Sequence, residues 1–190
     1  EFWKVYIHEL IHYLGLDMKF NSSNNNIKNL ICLDSNSVLI PNEAFTDFFA
    51  IIFYLIIKSK GNNLEFKRLL NIQIDFILKQ AAKIILIYGF KTINDLLNNQ
   101  HCNILMKQET CIFSYYIIKS AFFFNYDETL KFFSTDDYQI KYQDYIISLL
   151  KSKEFQYKIN SIISKISNKL VSDNSLRMIS SDCDLKTLLK

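Results

Sequence analysis

Apolar positions recur every three or four residues through most of this chain, and that period predicts helices. Trp3, Ile7, Leu10, Ile11 and Leu14 mark the first, over residues 3–14, with Gly15 as its stop. Residues 21–26 are all Asn or Ser and predict a solvated loop. Two short apolar runs, 31–33 and 38–40, suit small strands or packed loop equally well. Pro41 then opens a helix that is apolar almost all round to Ile57, the pattern of a buried helix. Further helices are predicted over 64–88, 109–124, 127–133, 142–150 and 155–166. Thr92 and Asp95 read as a capping box for a short helix. The periodicity fades from Ser167. The pattern therefore predicts a mainly α domain over 1–166, followed by a mobile or partner-dependent tail over 167–190.

Composition narrows the possibilities. The chain has 190 residues, 49% of them hydrophobic, enough for one domain with a sizeable core. Net charge is +3, and Arg68 and Arg177 are the only arginines, so no basic stripe marks a nucleic-acid surface. Ten uncharged residues from Phe48 to Ile57 fall short of the ~20 needed to cross a bilayer, so no membrane span is expected. Three glycines exclude a Gly-rich nucleotide loop. The cysteines (Cys32, Cys102, Cys111, Cys183) form no Cys-x-x-Cys pair. They read as free thiols, which favours a reducing intracellular compartment. The chain begins inside a predicted helix and so reads as a fragment.

Chemistry concentrates at residues 8–12, His-Glu-Leu-Ile-His. Four residues apart on a helix, His8 and His12 project from one face and suit a single Zn²⁺. Glu9 sits beside them as a general base. Glu43 and Asp47 are likewise four apart, on the first turns of the buried helix, where isolated carboxylates are costly. A metal and a histidine resolve that cost. Glu43 completes a His₂Glu set with one open position, and Asp47 accepts the second ring N–H of a zinc-binding histidine. Elsewhere, Tyr115 or Tyr116 could donate to a developing oxyanion, and His101 is the remaining histidine, in a polar loop.

His8-Glu9-x-x-His12 followed by Asn42-Glu43-Ala44-Phe45-Thr46-Asp47 resembles the thermolysin-like zinc metallopeptidases, the gluzincins. The match spans about eleven residues. It implies a zincin-like catalytic helical half in which His8, His12 and Glu43 hold zinc. It also implies that Glu9 activates the zinc-bound water and that Asp47 orients the first histidine. The expected activity is zinc-dependent hydrolysis of peptide bonds in a peptide or protein substrate. The β-sheet that usually precedes the first motif is short or absent, which implies a missing N-terminal half or a partner chain. The family's downstream histidine has no recognisable motif here. The alternative is a non-catalytic, zinc-stabilised helical module of a larger assembly. The metzincin pattern fits less well. Gly15 falls at its glycine, but Met18 occupies the position of its last ligand, and a thioether is a poor partner for Zn²⁺.

Overall fold

The computed structural model describes residues 2–18 and 25–166; the tail expected over 167–190 lies outside them. The fold is mainly α, as the periodicity predicts. Helix α1 (Phe2–Tyr13) is followed by a single turn, α2 (Asn25–Lys28), then α3 (Asn42–Lys58) and α4 (Asn63–Ile87). The short α5 (Ile93–Leu96) follows. A π-helical stretch, Phe113–Ile118, runs directly into α6 (Lys119–Phe124). Then come α7 (Tyr126–Phe133), α8 (Tyr138–Lys151) and α9 (Lys153–Ile163). Helix α1 packs along α3, the π stretch and α6 also pack on α3, and α4 lies against α6 and α9.

Local chemistry accounts for several boundaries. Pro41, at φ −60°, is the last residue before α3, and its carbonyl accepts from the buried Tyr142 hydroxyl at 2.8 Å. Asn62 caps α4 by accepting from the Glu65 backbone N–H. The expected capping box on α5 is present: Thr92 accepts from the Asp95 N–H while Asp95 accepts from the Thr92 N–H. The two short apolar runs form no strands. A single parallel bridge joins Leu33 to Met106, and the rest is loop, with Ile31, Cys32 and Leu39 buried but Val38 and Ile40 exposed.

The core centres on the first half of α3, where Phe45 and Phe48 meet Phe122, Phe123 and Phe133. Helix α3 is buried on every side only this far. Phe53, Ile56 and Ile57 are exposed at its C-terminal end. Among the described residues no helix is long and apolar enough to cross a membrane.

Two expectations are corrected. Of the apolar set Trp3, Ile7, Leu10, Ile11 and Leu14 only Ile11 is buried on α1, and it shares the inward face with Lys4 and His8. Trp3 is 65% and Leu14 56% exposed. Carboxylates on α3 draw in the polar residues, and Trp3, Leu10 and Leu14 are left outside. The free-thiol reading holds for buried Cys111 but fails for Cys32 and Cys102, which form a disulfide across 70 residues. The Cys32 N–H donates to the Leu96 carbonyl and its carbonyl accepts from Met106, so the two segments are already held together at that point.

Candidate metal centre

His8 and His12 lie one turn apart on α1 and face the N-terminal turns of α3. Glu43 enters from the first turn of α3. The nearest polar atoms of the three residues form a small triangle. His8 Nε2 is 3.2 Å from His12 Nε2 and 3.3 Å from Glu43 Oε2, and His12 Nε2 is 3.7 Å from Glu43 Oε2. A tetrahedral Zn²⁺ with N and O ligands at about 2.0–2.1 Å sets those ligands about 3.3–3.4 Å apart. The two edges at His8 lie close to that figure and the His12–Glu43 edge is longer, and two imidazole nitrogens with a carboxylate oxygen are a suitable donor set.

The outward ring nitrogens are also provided for. His8 Nδ1 lies 3.3 Å from Asp47 Oδ1, an electrostatic contact whose alignment falls short of a hydrogen bond. His12 Nδ1 lies 3.1 Å from Asp17 Oδ2. Both rings therefore turn Nε2 towards Glu43 and Nδ1 towards a carboxylate. Metal-binding histidines commonly adopt this arrangement, which selects the tautomer that leaves Nε2 free.

Asp47 is fully buried and is held by more than His8. Its Oδ2 accepts from Lys119 Nζ at 2.6 Å, and its Oδ1 pairs with Lys4 Nζ. Both lysines are themselves buried. Burial alone raises a carboxylic acid's pKa, but Lys119, His8 and Lys4 outweigh it and hold Asp47 below the usual carboxylate range. For His8, burial opposes the charged ring, while contacts with Asp47 and Glu43 favour it more strongly. Its pKa is raised to about 9. The protonated His8 ring thus faces the Glu43 and Asp47 carboxylates. The His8 contact and the Tyr115 hydroxyl, against the cost of burial, lower the pKa of Glu43.

The other residues singled out in the sequence are placed differently. Glu9 is exposed on α1. Tyr115, on the π-helical stretch, donates to Glu43 Oε2 at 2.6 Å. Burial and the Glu43 charge push its pKa up, so it stays a donor. The extra residue in a π turn re-aims its side chains, and such turns recur at functional sites. Tyr116, one residue on, is buried, with the Lys119 ammonium 5.7 Å from its ring centre. His101 is exposed and lines a cavity with Lys91 and Asp95 that includes none of His8, His12 or Glu43. Met18, at the metzincin ligand position, is buried in the hydrophobic core. Sequence reasoning missed Lys4, Lys119 and Asp17. Lys4 lies one helical turn before His8, a spacing that could have flagged it.

No family model matches the chain, and neither the curated proteins nor the solved structures contain a match to it.

Proposed function

We propose that the chain is a zinc-dependent peptide hydrolase of the thermolysin-like kind, with His8, His12 and Glu43 as metal ligands and Glu9 as general base. The observation that carries this reading is the triangle of Nε2, Nε2 and Oε2 atoms with edges of 3.2, 3.3 and 3.7 Å, with both Nδ1 atoms turned to carboxylates. Such a set leaves one coordination position open. When bound, Zn²⁺ polarises a carbonyl and makes a hydroxide nucleophile available near neutral pH. The chain's own residues do the rest. Glu9, exposed next to His8, takes a proton and returns it to the leaving amine. Asp47, fixed by two lysines, keeps the His8 ring in place. Tyr115 donates its single O–H to Glu43 and so holds that carboxylate in place. Tyr116 and His101 take no part in this reading.

Exposed Tyr6 and Tyr13, three and four residues from Glu9, share its side of α1 with Phe2. That apolar surface suits a further protein segment or a partner chain that would form the second wall of a substrate cleft. It is also the observation that favours a non-catalytic, zinc-stabilised interaction module. Three proteins separate the two readings. Protein purified without added metal should contain one zinc per chain by elemental analysis. His12→Ala should lose both zinc and any hydrolysis. Glu9→Gln should keep zinc and fold but lose hydrolysis of a peptide library by about 10²- to 10⁴-fold. If the parent holds zinc and cleaves nothing, alone or with its completing segment, the module reading stands. If neither purification nor reconstitution yields zinc, both readings fail.

A further inference from the structure

Helix α1 ends in a turn that feeds back into the metal centre. Gly15 adopts φ +63°, the left-handed conformation that side chains disfavour. The Gly15 N–H donates to the His12 carbonyl and the Leu16 N–H to the Ile11 carbonyl, each at 3.0 Å. That pair of bonds is a Schellman closure, and it reverses the chain within two residues. The reversal brings Asp17 back alongside His12, five residues earlier. Two contacts pin the returning strand. The Met18 side chain is buried in the core, and its carbonyl accepts from the Asn42 side chain at 2.7 Å. Asn42 immediately precedes Glu43, so one residue joins the returning strand to the helix that supplies the carboxylate.

We propose that Asp17 is a positioning residue of the metal centre. It accepts from His12 Nδ1, holding that ring in the tautomer whose Nε2 is free for the metal, and it is delivered by the Gly15 turn and the Asn42 tether. This inference rests on the metal reading given above. It makes the two ligand histidines alike, each backed by its own carboxylate: Asp47 in the core behind His8, and Asp17 near the surface behind His12. Asp17 differs from Asp47 in a way that makes it the cleaner test. Its side chain is 28% exposed and that of His12 31%, so removing the carboxylate leaves no buried charge stranded. An ordinary surface His–Asp pair would have little effect on anything but local charge.

The experiment compares the full chain with Asp17→Ala and Asp17→Asn. Zinc affinity is read by competition with a chromophoric chelator. The His12 tautomer is read from ring ¹⁵N shifts of the metal-free protein at a pH where the ring is neutral. Fold is checked by the urea midpoint. Asp17→Ala is expected to bind zinc about 10- to 100-fold more weakly, with its urea midpoint unchanged and His12 shifted towards the Nε2–H tautomer. Asp17→Asn retains an acceptor oxygen, so it should keep the Nδ1–H tautomer and recover most of the affinity. Asp17→Ala within about twofold of a zinc-binding parent overturns the role of Asp17 and leaves the metal reading intact. Equal losses in both variants with an unmoved tautomer also overturn it, since charge alone would then account for the effect. A parent that binds no zinc overturns the metal reading itself, and this role with it.

Discussion

Asp47→Ala should damage the fold as well as the metal centre. Asp47 is wholly buried and faces three basic groups, Lys4, Lys119 and His8, two of them lysines at about 1% exposure. Removing the carboxylate takes from both lysines the counter-charge that accompanies their burial. Breaking a buried pair by deleting one partner typically costs about 3–5 kcal/mol. Whole domains are stable by only about 5–15 kcal/mol, so a loss of 3–5 is a large fraction. Urea unfolding of the metal-free protein at pH 7 measures it. Zinc affinity should fall about 10- to 100-fold in parallel. A Lys4→Met/Asp47→Leu/Lys119→Met variant separates the two effects. Replacing a buried ionic cluster by apolar residues is often neutral or stabilising, so stability should return while zinc affinity stays low. An Asp47→Ala deficit below about 1 kcal/mol would refute the reasoning, because the lysines would then not depend on that carboxylate.

Three further outcomes follow from the described geometry. The His8 pKa is raised from 6.5 to about 9, so its contribution to the metal-free fold is complete below pH 6.5 and is lost as pH rises through 9. Denaturation of the metal-free protein should show stability falling by up to about 1.4 kcal/mol per pH unit across that window. Zinc needs the neutral ring, so its affinity should rise about tenfold per pH unit towards pH 9, with about one proton released per zinc in calorimetry run in buffers of different ionisation enthalpy. A pH-independent affinity would remove His8 from the ligand set. Separately, the Cys32–Cys102 bond closes a loop of 70 residues, and chain entropy puts its stabilisation at about 4 kcal/mol. A Cys32→Ala/Cys102→Ala protein should lose most of that in urea unfolding without losing zinc, since neither cysteine touches the His8 triangle.

The helices and the residue pairs His8/His12 and Glu43/Asp47 were legible in the sequence for a common reason. Spacings of three and four residues are local, and a helix converts them into shared faces whatever surrounds it. His8 with His12, and Glu43 with Asp47, therefore follow from position alone once each segment is helical. So do the Pro41 start of α3 and the Thr92 capping box.

The pairing of the two histidines with the carboxylates of α3 was expected, but the burial of Lys4 beside them and the exposure of Trp3, Leu10 and Leu14 were not legible. Burial of Lys4 and His8 makes sense only once Asp47 stands opposite them, 43 and 39 positions away in the chain. Lys119 reaches the same carboxylate from α6, and Tyr115 reaches Glu43 from the π-helical stretch, each across a separation of 72 residues. No periodicity encodes such pairings. Cys32 and Cys102 carry no spacing signature, and they meet because Cys32 pairs through its backbone with Leu96 and Met106. Asp17 is the intermediate case. It is near His12 in sequence, yet only the left-handed Gly15 and the Asn42 bond to Met18 turn that proximity into contact. Local spacing thus determined which residues could share a helix face. The tertiary packing decided which face was buried and which distant charges met there, because a buried charge is tolerated only where the rest of the chain supplies its opposite.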